Sequence, residues 1–221
     1  MSASQAGQTI VPGHEFFDLA RAKLTLEVPP ALTDLDAPAT RGDLDLNPEM
    51  WEQAGVKATR PAVVLIPVVD RPEPGVILTV RTAHLPSHAG QIAFPGGKID
   101  PHDATPLAAA LREAEEEIGL DPRLVEPLGY LDLFFTFSGF RILPVVARVA
   151  PACALTLNPH EVEDAFEVPL AFLMGPENHQ KHTRDWKGIL RHYYAMPYQE
   201  RYIWGITAGI LRNLYERVYG E

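Results

Sequence analysis

Four glutamates crowd the five residues of "EAEEE", and three of them, Glu113, Glu116 and Glu117, stand at i, i+3 and i+4. On a helix that spacing puts three carboxylates on one face, where like charges repel by about 0.2–0.5 kcal/mol per exposed pair and by more when partly buried. Glu115 points off that face. A hard divalent cation such as Mg²⁺ or Mn²⁺ reverses the sign of the crowding, because it takes carboxylate oxygens and keeps waters free for substrate phosphates. A solvated acidic helix face is the other reading of the same letters, and it stays open at this point.

The flanking residues predict how such a helix is held. Thr105 suits an N-cap, Pro106 the first helical position and Gly119 the C′ position. Leu107, Leu111, Ala114 and Ile118 recur at helical spacing and form the expected apolar stripe. Gly96 and Gly97, just upstream, let the backbone turn tightly and approach a metal or a phosphate; an ordinary turn would also need them.

From Gly97 to Leu120 the chain reads G-x5-D-x8-R-E-A-x-E-E-x-G-L. This resembles the signature of the Nudix hydrolases, G-x5-E-x7-R-E-U-x-E-E-x-G-U. The second half matches at every fixed position, while Asp103 replaces the first glutamate and the spacer to Arg112 is one residue longer. Upstream, "ILTVRTAHLPSHAGQIAFPGG" (Ile77 to Gly97) is similar to the motif before the box in coenzyme A pyrophosphatase-type Nudix proteins, L-L-T-x-R-[SA]-x3-R-x3-G-x3-F-P-G-G. Arg81, Gly90, Phe94, Pro95, Gly96 and Gly97 fall in register. Ile77 replaces leucine, Thr82 replaces Ser/Ala, and Pro86 replaces the second arginine, exchanging a guanidinium able to meet phosphate for a ring that cannot. "YIWGITAGIL" (Tyr202 to Leu211) looks like the C-terminal helix of that subgroup.

The resemblance implies an α+β fold with a mixed sheet sandwiched between helices. It implies Mg²⁺ or Mn²⁺ held by Glu113, Glu116 and Glu117, with a backbone carbonyl of Gly96 or Gly97 as a further ligand. Arg112 becomes the scaffold that holds the carboxylates. The reaction implied is hydrolysis of a diphosphate linkage in a nucleotide derivative, with coenzyme A or its thioesters giving 3′,5′-ADP and a 4′-phosphopantetheine moiety. ADP-ribose, NADH and dinucleoside polyphosphates are the rival substrates. Glu161, with Glu163 as alternate, stands where such enzymes place a base or extra ligand, although each equally suits a solvated loop. Arg81, His88, Gly96 and Lys98 are the expected substrate contacts, and His84 flanks the same loop. An ion pair for Arg81 and plain polar surface for the histidines are the alternatives. The aromatics of "LDLFFTFSGF" could stack on adenine or lie in the core.

Composition bounds these expectations. At 221 residues and 46% hydrophobic the chain can bury one sizeable core. A net charge of −10 argues against electrostatic capture of nucleic acid. One cysteine, Cys153, excludes an internal disulfide, and no run of about 18 apolar residues appears. The expectation is a cytoplasmic protein with a small nucleotide substrate, no nucleic-acid or membrane partner, and a monomeric or homodimeric state. A nucleotide sensor without turnover is the rival class; such a module is expected to lose metal-binding glutamates, and all three are present. An acidic calcium-binding domain is weaker still, because no EF-hand loop appears.

Along the chain, residues 1–10 are polar and expected to be mobile. Residues 1–58 read as a helix ("HEFFDLARAKL") and an extended arm packing on a domain of residues 59–221. Strands are expected at Ala62 to Val69, Gly75 to Arg81, Val125 to Phe135 and Arg141 to Val149, and in "ILRHYYAMPY". Short and long helices are expected at Val168 to Met174 and Trp204 to Tyr219.

Overall fold

A computed structural model describes residues 13–84, 88–186 and 188–220; residues 1–10 and Pro86 lie outside the described residues. Helix α1 (Gly13–Lys23) leads into an arm that carries α2 (Pro48–Ala54). Strands β1 (Arg60–Val69), β2 (Gly75–Arg81), β3 (Ile92–Ala93) and β4 (Gly96–Lys98) precede helix α3 (Pro106–Ile118). Then come β5 (Val125–Tyr130), β6 (Phe134–Phe135), β7 (Phe140–Val149), β8 (Val162–Pro169) and the single-turn helix α4 (Leu170–Leu173). Strands β9 (Gln180–Trp186), β10 (Ile189–Tyr198) and β11 (Arg201–Trp204) and helix α5 (Ile206–Tyr219) close the chain.

The main sheet is mixed. Its strand order is β3-β2-β1-β7-β5, with β4 on β1, β6 on β7 and β8 on β2. β1 and β7 run parallel over ten residue pairs, from Arg60↔Phe140 to Val69↔Val149, and the other pairs are antiparallel. Both central strands read as continuous apolar runs because each is covered on both faces. Alternation divides β1: Ala62, Ile66 and Val68 enter one core layer, and Val63, Leu65 and Val69 the other. The first layer also holds Phe16, Phe17 and Ala20 of α1 with Leu211 and Leu214 of α5, while the second holds Ala110, Ala114 and Ile118 of α3. The protein is α+β, with a mixed sheet between helices.

Several elements differ from expectation: β8 and β9 are strands that were not expected, and β8 takes Val168 and Pro169 so that α4 spans only Leu170–Leu173. The arm contains α2, whose Pro48 at the first helical position and Gly55 (φ 56°) beyond the last residue are ordinary helix punctuation. Val125 to Phe135 is two strands, because the register shifts between Pro127 and Gly129 and the ladder stops at Tyr130. Tyr202 to Trp204 is strand β11, not helix; Gly205 (φ 65°) turns the chain and α5 starts at Ile206. The arm is held by Arg141, which is 1% exposed. Its guanidinium donates to the carbonyls of Ala31, Asp34, Leu35 and Ala58 and lies over the Phe135 ring.

Candidate active site

Helix α3 has the caps its sequence predicts. Thr105 Oγ1 accepts from the Ala108 N–H at 3.1 Å, Pro106 opens the helix and Gly119 (φ 64°) ends it. The apolar stripe differs from the expected one: Ala109, Ala110, Ala114 and Ile118 are buried, whereas Leu107 and Leu111 are half-buried. Alanines let the helix lie close on the sheet, and this leaves the longer leucines at the margin.

The glutamate face points toward β4, but its three members sit at graded depths. Side-chain exposure is 56% for Glu116, 16% for Glu113 and 3% for Glu117. Gly96 N–H donates to Glu117 Oε2 at 3.1 Å, and Gly97 lies so close to Glu113 that a Cβ there would come within 2.5 Å of its carboxylate. Gly96 itself has φ 155°, and a Cβ would meet the Val63 carbonyl oxygen at 2.3 Å, so both glycines are sterically required. Glu115 is exposed and off the face.

The positive group among these carboxylates is Arg112. It donates to Asp103 through Nε (3.0 Å) and Nη2 (2.9 Å), and from Nη1 to Glu113 Oε1 and Glu116 Oε2, each at 2.9 Å. Its Nη2 also reaches the Lys98 carbonyl at 3.3 Å. Asp103 thus makes a two-pronged contact despite its shorter side chain, and its own N–H donates to the Asp100 carbonyl at 2.9 Å in the turn that precedes it. Arg112 holds the Asp103 carboxyl below the usual carboxylate range.

Glu117 has weaker compensation. Arg81 Nη1 stands 3.7 Å from its Oε1, and Arg81 Nε has no partner among the described residues. Burial pushes the Glu117 carboxyl up to about 7, with Glu113 and Glu161 adding to the rise and the Gly96 N–H and Arg81 opposing it. Burial also raises Glu113. Glu161 therefore faces the cluster from the loop before β8, where Asn158 Nδ2 donates to its Oε1 at 3.3 Å. Glu163 is exposed on β8. His84 and Lys98 are exposed, and so is His88, whose Nδ1 lies 2.8 Å from Gln91 Oε1. Gly96, Gly97, Arg81, Arg112, Glu113, Glu117 and Glu161 are brought together; among the described residues the side chains of His84, His88 and Lys98 make no hydrogen bond or ion pair with the cluster.

Two residues hold the Glu161 loop in a role that sequence reasoning did not give them. Asn158 N–H donates to the Glu117 carbonyl at 2.9 Å, tying this loop to α3. Thr82 is 4% exposed, with its N–H on the Glu161 carbonyl (3.0 Å) and its hydroxyl on that of His160 (3.3 Å). The "NP" turn signal at Asn158 was visible, and Thr82 stood at the Ser/Ala position of the upstream motif, but nothing local shows that it reaches the Glu161 loop. Of the two readings of "LDLFFTFSGF", Phe134 and Phe135 take the core one at 4% and 2% exposure, while Phe137 and Phe140 are half-buried, against Trp51 with Arg191 and against Arg60 respectively.

Among the described residues no three Asp, Glu, His or Cys side chains already converge as a metal-gripping cluster. Arg112 occupies an oxygen of Glu113 and one of Glu116. The donor set nevertheless suits a hard divalent cation: carboxylate oxygens, a glycine backbone without a side chain in the way, and a buried carboxylate short of positive charge.

Comparison with known proteins places this geometry. The NUDIX domain model matches residues 58–189. The chain is 42% identical over 155 residues to NudL, an uncharacterized Nudix hydrolase of Escherichia coli K12, an alignment covering 70% of this chain and 81% of that protein. The same figures hold for NudL of Shigella boydii serotype 18. Among solved structures, the Nudix hydrolase RenU of M. smegmatis shares 25% identity with a TM-score of 0.43, over 49% of this chain and 70% of that one. A C. elegans Ap4A hydrolase shares 20% with a TM-score of 0.42, over 49% and 80%.

Proposed function

The chain belongs to the Nudix hydrolase family, and on that premise we propose that it hydrolyses the diphosphate linkage of coenzyme A or its thioesters, giving 3′,5′-ADP and a 4′-phosphopantetheine moiety. The observation that carries the reaction type is the buried, under-compensated Glu117 beside the Gly96–Gly97 turn. The substrate class rests on the register of Arg81, Gly90, Phe94 and Pro95 with the subgroup motif.

Glu113, Glu116, Glu117 and the Gly97 carbonyl are the groups that would hold Mg²⁺ or Mn²⁺. When bound, such an ion supplies Lewis-acid polarisation of the diphosphate and offsets its charge. Arg112 sets the orientation of Glu113 and Glu116 and leaves their remaining oxygens free. Arg81, His88, Gly96 and Lys98 are the proposed substrate contacts. Glu161 takes the proton of the attacking water at a carboxylate oxygen as the new P–O bond forms and the bridging P–O bond breaks. Glu161→Gln is expected to lower kcat at least about tenfold at every pH while leaving the metal concentration for half-activity nearly unchanged. Recovery of kcat at high metal would make Glu161 a ligand instead; an unchanged kcat would move the search to Glu163.

Product analysis against a panel of diphosphate nucleotides with Mg²⁺ or Mn²⁺ tests the reading. With proline at 86, coenzyme A and its 3′-dephospho form are expected to differ in kcat/KM by less than about tenfold, because one charge-assisted hydrogen bond alone is worth roughly 10–150-fold. No activity on either would end the coenzyme A assignment. Turnover of ADP-ribose, NADH or a dinucleoside polyphosphate in its place would keep the diphosphate chemistry.

A further inference from the structure

The loop that presents Glu161 is organised around one residue. Each polar atom of Asn158 has a partner. Its N–H donates to the Glu117 carbonyl at 2.9 Å, and its own carbonyl accepts from the N–H groups of Glu161 (3.0 Å) and Val162 (2.9 Å). Its side-chain Oδ1 accepts from the His160 N–H at 3.1 Å, and its Nδ2 donates to Glu161 Oε1 at 3.3 Å. The His160 contact fixes which way the amide points, because only its oxygen accepts an N–H; Nδ2 is then the end that meets Glu161.

An asparagine that only closed a turn would need less than this. The turn to His160 requires a side-chain acceptor, and aspartate or serine supplies one too. The donor is what sets asparagine apart, and here it goes to a carboxylate. The backbone of the loop is placed without it: the Glu161 carbonyl accepts from the Thr82 N–H at 3.0 Å on one side, and the Asn158 N–H ties the loop to α3 on the other. What Nδ2 adds is therefore the direction of the Glu161 carboxylate rather than the position of its backbone.

That direction needs holding. Burial raises the carboxyls of Glu113 and Glu117, and the nearby charge of Glu161 adds to the rise in both. The same repulsion acts back on Glu161 and favours side-chain rotamers that swing it away from the cluster. Among the described residues no cation pairs with Glu161, and Asn158 Nδ2 is the sole donor to its side chain.

We infer that Asn158 is a positioning residue: its Nδ2 holds Oε1 of Glu161 and so leaves the other oxygen, Oε2, as the acceptor for the proton of the attacking water. The inference rests on the proposed role of Glu161 as base. Because the N–H of the same residue is on the Glu117 carbonyl, Asn158 also keeps the base in a fixed relation to the carboxylate helix.

Asn158→Asp and Asn158→Ser test this in the full chain, with Mg²⁺ and coenzyme A, or ADP-ribose if coenzyme A is not turned over. Both variants keep an acceptor for the His160 N–H; aspartate has no donor for Glu161, and serine is too short to reach it. Each should lower kcat by about tenfold, with KM, the metal concentration for half-activity and the melting temperature close to those of the parent. In a Glu161→Gln background neither substitution should lower kcat further, because the group through which Asn158 acts is gone. An unchanged kcat in both variants overturns the inference, and so does a fall by the same factor with and without Glu161. A loss confined to Asn158→Asp overturns it too, since added charge and not the missing donor would then be the cause. If Glu161→Gln alone leaves kcat intact, the base assignment fails and the inference falls with it. If Glu161→Gln lowers kcat while both Asn158 variants do not, the inference fails alone and the base stands.

Discussion

Replacing Glu117 with glutamine is expected to cut turnover by about 10²–10³-fold and, in the metal-free protein at pH 8, to raise the melting temperature. The two effects have one origin. Glu117 is 3% exposed on its side chain and its carboxyl is pushed up to about 7 by burial. A carboxyl whose folded pKa exceeds its unfolded one favours folding when protonated. That contribution is complete below the ordinary value of about 4.5 and is lost as pH rises through about 7. At pH 8 the ionised group costs the metal-free fold a few kcal/mol, on the order of several degrees for a chain of this size. Glutamine keeps the acceptor for the Gly96 N–H and removes the charge. Melts in EDTA at pH 5 and pH 8 should therefore show a gain that grows with pH, while Glu115→Gln should be near neutral in both turnover and stability. A gain of equal size at both pH values, or near-normal turnover, would remove Glu117 from the centre of the site.

Arg141→Met should destabilise the protein by roughly 3–5 kcal/mol, about the cost of breaking a buried charged contact by removing one partner. Among the described residues the guanidinium pairs with no carboxylate; its acceptors are four backbone carbonyls, all of them in the arm. Methionine fills similar volume but leaves those carbonyls without donors. The loss should appear as a fall in melting temperature of roughly 6–20 °C. Protease cleavage within residues 30–58 should also begin well before global unfolding. A variant that melts within a degree or two of the parent would show that the carbonyls find other donors.

What the sequence made legible follows from how local the cause was. α3 was readable to its ends, because Thr105, Pro106 and Gly119 are caps in themselves and the glutamate face is a matter of helical spacing. β2 was readable because its core-facing run is apolar and bounded. β8, "VEDAFEVP", was missed: it pairs only with β2 and leaves Glu163 and Glu167 exposed, so it carries the letters of a loop. β9, "QKHTRDW", was missed for the same reason, in a small sheet largely open to solvent. Within the site, the grading of Glu116, Glu113 and Glu117 was invisible. It depends on where Gly96 and the Asn158 loop cross the helix, at separations of 21 and 41 residues, and no window on the chain contains that information.

The parallel pairing of β1 with β7 also has a consequence in time. Every residue of β1 waits for a partner 80 positions later, and the carboxylate helix lies inside that span. During synthesis "PAVVLIPVV" therefore leaves the ribosome as an apolar strand whose longest edge has no partner until Val149 has emerged. At about 5–20 residues per second that delay is roughly 4–16 seconds. Changes in β7 that weaken the pairing should be felt in the yield of soluble chain before they are felt in catalysis, since the site cannot exist in any molecule that aggregated during the wait.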